Sequence, residues 1–462
     1  MAQVRLPYKT STQQARFWNP YIETMPREEL DQLHLRRLQK LVAYAYARVP
    51  FYRRILDQHK VKPEDIKTMD DFVKRLPTID KKDLLEAQAV APPYGEALAL
   101  PEDFVFHRFA TSGSTGVPMQ IPLSHYGWIL WGESWGPALW AIGLRPQTSF
   151  YFPFNFGIFA AFWSAYMGVA RLGGTMVSGG GLDTTGRIKQ ILEYKPQVMF
   201  ATPTYALYFG EAAKNMGVDL RQTSIAWVIV SGEPGGSIPT TRQAISELWG
   251  AQVYELYGVA ELGPTHYGCP LGTGVHLNEQ LYHSLVVDEQ GNPVPDGEVG
   301  ENIMTSYMQH MQPLIKYRTH DLVRWYARPC ACGRTARFYE GGVLGRTDHM
   351  LTIRGTNVYP TAIEALLHEV PELSEHYEIH ASLRGGTDAI DVKVEARPEV
   401  EAGRYAVLGE RLAGILHDAI KVRIGVEVVP TGILPRYELK AKRFFDHRPA
   451  GRGWQLRGGG ER

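Results

Sequence analysis

Hydrophobic positions first recur with helical period over residues 26–55, where Leu30, Leu33, Leu38 and Leu41 form one stripe. Pro26 suits a first helical position, and Glu28 and Glu29 complement the helix dipole in the first turn. Through the middle of the chain the pattern becomes short apolar runs at 149–154, 197–201 and 226–230, each followed by a turn and a helical pattern. That rhythm predicts α/β architecture with a largely buried sheet. Further on the order is a helix at 361–370, strands at 377–383 and 389–396, a long helix at 405–422 and a short strand at 426–429. This is a small α+β unit of roughly 100 residues. The boundary is expected near Gly345 to Asp348, giving a large domain over 1–345 and a smaller, mobile one over 346–462.

At 462 residues the chain can hold two or three packed domains. Its 49 basic and 49 acidic residues cancel, so no broad nucleic-acid or membrane footprint is expected. No run of about 18 apolar residues occurs, which argues against an ordinary membrane span. The first residues lack the apolar core of a signal peptide, and three cysteines cannot build a disulfide framework. A cytoplasmic protein is expected, with a frayed Gly/Arg-rich tail after Arg448.

Four short segments change this picture from architecture to chemistry. Ser112, Gly113, Ser114, Thr115 and Gly116 follow Thr111 between two strand-like runs. Glycines let a backbone approach a phosphate closely, and hydroxyls with free N–H groups donate to its oxygens. The bland alternative is a hairpin turn. Tyr257, Gly258 and Glu261 follow a strand-like run, where a carboxylate can hold the Mg²⁺ of a nucleotide and Tyr257 offers a flat face to a base or aryl group. Asp321 ends the segment Tyr317-Arg318-Thr319-His320-Asp321, and Arg346 begins Arg346-Thr347-Asp348. An Asp can accept from two vicinal ribose hydroxyls, and an Arg can bridge ribose and phosphate. Taken singly, each is equally a surface ion pair.

In this order, and together with FATPTY, SGEP, Asn357-Val358-Tyr359-Pro360 and LPRYELKAKRFFD, the segments resemble the phenylacetate–CoA ligase family of the adenylate-forming superfamily. The resemblance runs nearly end to end. It implies an α/β fold with a mobile α+β C-terminal domain, and an enzyme that joins an aryl or arylacetic acid to coenzyme A through an acyl-adenylate made from ATP. It implies that Ser112 to Gly116 wrap the phosphates, and that Glu233, Pro234, Tyr257 and Gly258 surround the adenine. Glu261 would ligate Mg²⁺, Asp321 would bind the ribose, and Arg346 would contact ribose and phosphate. Asp348 would be the hinge, Gly355 would line the CoA tunnel, and Lys440 would be the catalytic lysine of adenylation. Two positions depart from the pattern: Val117 stands where many relatives carry Lys, and Leu439 where the family has Gly. They keep a degenerate, non-catalytic binding module open, and an amine acceptor in place of CoA is a separate alternative.

Cys269, His276, Cys330 and Cys332 could form a tetrahedral, structural Zn²⁺ shell, with His266 and His283 as alternative fourth ligands. The alternative is three free thiols in loops. Phe152, Phe154, Phe156, Phe159, Phe162 and Trp163 would suit an aryl acid, with Asn155 facing the pocket, although such runs more often fill core. Trp128, Trp131 and Trp135 share one helix face, which suits core or a homodimer contact.

Overall fold

The computed structural model describes residues 16–111, 118–308, 310–347, 351–353, 356–384, 387–437 and 442–448. The expected N-terminal helix is two helices. Arg27–Arg48 buries Leu30, Leu38 and Leu41, with Pro26 one place outside it as the cap rather than the first helical residue. Pro50 then forces Val49 into extended backbone, and a second helix, Pro50–Gln58, starts there.

Among the described residues one sheet of eleven strands spans the large domain. From one edge, Thr175–Ser178, Ser149–Phe152, Val198–Ala201, Trp227–Val230 and Gln252–Val259 run parallel. The helices Ala160–Leu172, Thr184–Tyr194, Pro203–Asn215 and Pro239–Trp249 lie between them in sequence, as parallel crossovers require. Every residue of Val198–Ala201 is buried, which is why these strands read as continuous apolar runs. Beyond Gln252–Val259 the sheet turns antiparallel, through Gly263–Gly268, Gly274–Leu277, Phe338–Arg346, Tyr317–Tyr326, Val299–Ser306 and Tyr282–Val287. Gln252–Val259 is therefore the strand at which sheet direction changes.

Trp128, Trp131 and Trp135 lie on the helix His125–Ala141 and are all buried, so they serve the core of this chain. No helix among the described residues is long and apolar enough to cross a membrane.

The C-terminal domain has its own four-stranded sheet, ordered Ile424–Val429, Thr387–Ala396, Leu373–Arg384 and Phe444–Asp446. Helices Pro360–Leu367 and Tyr405–Ile420 cover it through Ile363, Leu367, Leu412 and Leu416. The strand Phe444–Asp446 escapes sequence reading because three residues carry no usable alternation. The fold class is as expected: α/β, with a large sheet domain and a smaller C-terminal domain.

Candidate active site

The strand Gln252–Val259 runs through Tyr257, Gly258 and Val259, three residues further than the sequence pattern suggests. Glu261 falls in the turn that follows and is 6% exposed. Burial pushes its carboxyl up, opposed by Lys81, the Tyr317 hydroxyl and Arg346. The Lys81 ammonium lies 4.0 Å from Glu261 Oε1. A buried carboxylate in this position fits a divalent cation, which would offset its desolvation.

Asp321 and Arg346 are register partners on adjacent antiparallel strands. Arg346 Nη1 donates to Asp321 Oδ1 at 3.0 Å, and the Tyr257 hydroxyl donates to Oδ2 at 2.7 Å. Asn302 Nδ2 donates in turn to the Tyr257 oxygen at 3.2 Å. The carboxylate is thus held at both oxygens by two other strands, with Asn302 on a third holding Tyr257. His320, immediately before it, has a φ of +63°, a conformation side-chain-bearing residues adopt rarely and mostly where neighbours enforce it. Tyr257 is buried and stacks on His266 at 4.7 Å between centroids, so the ring face read as open to a base or aryl group is partly covered. Gly258 is required by close packing, because a Cβ there would come within 2.8 Å of the Gly263 carbonyl oxygen. Glu233 Oε1 accepts from Thr204 N at 2.8 Å, which ties the Glu233–Pro234 turn to the start of the helix Pro203–Asn215.

The strands Val105–Ala110 and Gln120–Ser124 are an antiparallel pair, and Thr111 N donates to the Met119 carbonyl at 3.1 Å. They fix both ends of the segment that carries Ser112, Gly113, Ser114, Thr115 and Gly116, itself outside the described residues, as is Val117. Asp348, Gly355, Leu439 and Lys440 also lie outside them.

The structure brings Cys269, His276, Cys330 and Cys332 together, with their ligand atoms all within 4.8 Å of one another. Cys269 and Cys330 Sγ are 3.7 Å apart, and Cys332 Sγ is 3.3 Å from His276 Nε2. His276 Nδ1 faces the Ala336 carbonyl at 3.4 Å, which turns Nε2 toward the thiols. Backbone N–H groups of Leu271 and Cys332 point at the sulfurs of Cys269 and Cys330. The Cys269 hydrogen bond and the His276 ring hold the Cys332 thiol well below its ordinary range. The two alternative ligands lie elsewhere: His266 between Tyr257 and Tyr339, His283 between His34 and Phe72.

The aromatic run is a stacked cluster. Phe152 and Phe154 are core, Phe154 stacks on Phe162 at 4.0 Å, and Phe156 lies 4.9 Å from Trp163, whereas Phe159 is exposed. Asn155 is exposed and its side-chain oxygen accepts from Gly181 N at 2.7 Å, so it serves a loop contact instead of an inward-facing pocket wall.

Comparison with known proteins places this geometry. The model of the AMP-binding enzyme family matches residues 30–311, and that of the AMP-binding enzyme C-terminal domain matches 355–448. A phenylacetate–coenzyme A ligase of Thermus thermophilus is 34% identical over 93% of this chain and 99% of its own. One from Aromatoleum evansii is 32% identical over 93% and 97%. The chain belongs to the phenylacetate–coenzyme A ligase family of AMP-binding enzymes. It is an ATP-dependent, AMP-forming acid–CoA ligase that works through an acyl-adenylate, and it binds an acid, ATP and CoA. A 2-hydroxyisobutyryl-CoA ligase in its postadenylation state superposes with a TM-score of 0.90 at 29% identity, over 97% of this chain and 95% of that one. The same ligase in its thioesterification state superposes at 0.72 over 96% and 94%. Coverage hardly changes between the two, so the scores report how the parts are placed.

Sequence reading missed Lys81 in this ligase. Ile79 pairs with Tyr317 as an isolated bridge, with Arg318 N donating to the Ile79 carbonyl at 2.8 Å, and this carries Lys81 to Glu261. The only local hint is the Asp80 cap of the helix Lys81–Ala89, because its partner is 180 residues away in the chain. Arg436 and Arg443 were also missed. Arg436 binds Glu395 through both terminal nitrogens, and Arg443 binds Glu364 and the Tyr377 hydroxyl.

Proposed function

We propose that this ligase activates an aryl or arylacetic acid of the phenylacetate kind, releases pyrophosphate, and transfers the acyl group to the thiol of CoA with release of AMP. The observation that carries the acid class is the 34% identity to a phenylacetate–coenzyme A ligase over nearly the whole of both chains.

Within that reading Ser112, Gly113, Ser114, Thr115 and Gly116 hold the ATP phosphates. Glu233, Pro234, Tyr257 and Gly258 border the adenine, and Asp321 with Arg346 holds the ribose. Bound Mg²⁺ would neutralise phosphate charge. Glu261 is its ligand, and Lys81, within 4.0 Å of that carboxylate, supplies a cation that Val117 does not. Lys440 neutralises charge as carboxylate meets α-phosphate. The large domain covers 1–345 and the small one 346–462, turning about Asp348, and Gly355 leaves room for the pantetheine arm of CoA. A reducing cytoplasm suits the three unpaired thiols. A homodimer would form through a surface other than the three tryptophans, which are buried.

A second reading rests on the 2-hydroxyisobutyryl-CoA ligase superposition, which favours a short, branched hydroxy acid. Pyrophosphate release across benzoate, phenylacetate, indole-acetate, 2-hydroxyisobutyrate and acetate, with and without CoA, separates the two. Phenylacetate should exceed acetate in kcat/KM by about a hundredfold or more, since an apolar pocket loses roughly 1–3 kcal/mol per unfilled methylene. Acetate or 2-hydroxyisobutyrate winning would overturn the aryl assignment and leave the ligase chemistry intact.

Cys269, His276, Cys330 and Cys332 hold a structural Zn²⁺ in this reading. Tetrahedral Zn–S bonds of about 2.3 Å put sulfurs about 3.8 Å apart, close to the 3.7 Å between Cys269 and Cys330. Purified protein should carry close to one zinc per chain by elemental analysis. Cys332→Ser should lower metal content and melting temperature together. Metal-free protein of undiminished stability would remove the site.

A further inference from the structure

We propose that Glu211, on the helix Pro203–Asn215 of the large domain, is a positioning residue for adenylation that clasps His376 and Arg436 of the small domain. The inference rests on the two-step ligase chemistry and is independent of which acid is used.

The small domain meets the large one partly through this carboxylate. Glu211 Oε2 lies 3.4 Å from His376 Nε2 and 3.8 Å from Arg436 Nε. Both partners are fixed before Glu211 reaches them. His376 is buried on the strand Leu373–Arg384, with Glu375 at 3.8 Å as the other charged group facing its ring. Arg436 is clamped by Glu395, whose side chain is fully buried and also accepts from Leu434 N at 2.6 Å. A cation already held by its own domain loses little further side-chain freedom when it pairs across the interface. The His376 hydrogen bond, and after it the Arg436 charge, hold the Glu211 carboxyl below its ordinary range, so it meets them ionised. Nearby, Thr241 Oγ1 lies 2.9 Å from His368 Nδ1, a second contact between the domains.

The position of Arg436 gives the contact its meaning. It stands four residues before Lys440, so the clasp acts on the stem of the segment that brings a cation to the reacting phosphate. The arrangement in which Glu211 reaches Arg436 is also the one that superposes at 0.90 on a postadenylation ligase and at 0.72 on the same ligase in its thioesterification state. A contact made in one arrangement stabilises that arrangement alone.

Glu211→Gln tests this by splitting the two half-reactions. Phenylacetate-dependent ATP–pyrophosphate exchange should slow about tenfold, the scale of one charge-assisted contact. Thioester formation from pre-made phenylacetyl-adenylate and CoA should be unchanged or faster, and Glu211→Asp should restore most of the exchange. Glu211 is 37% exposed, so the variant should keep its melting temperature. Equal loss in both half-reactions, or undiminished exchange, would overturn the role. Absence of phenylacetate-dependent exchange in the unaltered protein would count against the acid class only. The clasp is then read without any acid, by small-angle scattering of the ligand-free chain. The radius of gyration should be larger in Glu211→Gln, and superimposable curves would overturn it.

Discussion

Lys440→Ala is expected to slow acyl-adenylate formation by roughly 10²–10³-fold, the scale of losing one preorganised charge stabiliser. Attack of a carboxylate on the α-phosphate brings two anions together, so a cation aimed at the developing charge lowers this barrier. Conversion of pre-made acyl-adenylate to thioester needs no such neutralisation and should be largely spared. On either side of the segment that carries Lys440, Arg436 is held by the buried Glu395 and Arg443 by Glu364 and Tyr377. Lys442 is the rival. It is exposed, and its ammonium lies 5.0 Å from the Phe445 ring centroid, a partner that already occupies it. Pyrophosphate exchange and single-turnover thioester formation, measured on Lys440→Ala and Lys442→Ala, decide between them. Equal losses in both half-reactions for Lys440→Ala would refute its role.

Glu279→Gln should destabilise the protein by about 3–5 kcal/mol, because it removes the anion from a buried charge network, leaving Arg337 without that carboxylate and Arg27 with Asp31 as its remaining counter-charge. Glu279 accepts from Arg27 Nη1 at 2.9 Å on both oxygens and from Arg337 N at 2.9 Å, and His34 Nε2 is 3.5 Å away. The carboxylate fastens the helix Arg27–Arg48 to the antiparallel half of the sheet. Burial alone would raise the Glu279 carboxyl, yet His34, Arg27 and Arg337 hold it well below the usual carboxylate range. A depressed folded-state value means the network's contribution is fully present above the unfolded carboxyl range near pH 4–5. It is lost as pH falls from there toward the folded value. Melting temperatures of the unaltered protein and Glu279→Gln should therefore differ most near neutrality and converge on acidification. Parallel curves across that range would show that Glu279 carries no linked charge.

Much of this protein was determined locally. The parallel strands are legible as continuous apolar runs because both faces of Val198–Ala201 are covered, and most of the C-terminal unit because its helices and longer strands show a period, the three-residue strand Phe444–Asp446 excepted. The ligase family was legible because its motifs are short segments whose glycines, hydroxyls and charges stand side by side in the chain. The cysteine set was half legible. Its residue types were evident, but only the fold selects His276 over His266 and His283, by bringing the strand Gly274–Leu277 beside Phe338–Arg346. Lys81 beside Glu261, Tyr257 beneath Asp321, and Glu211 against His376 and Arg436 join residues between 64 and 225 positions apart. No periodicity or motif records such pairs. Sequence patterns report what a segment buries and how its backbone turns, whereas a charge's partner is set by strand order and domain docking, and these exist only once the whole chain has folded.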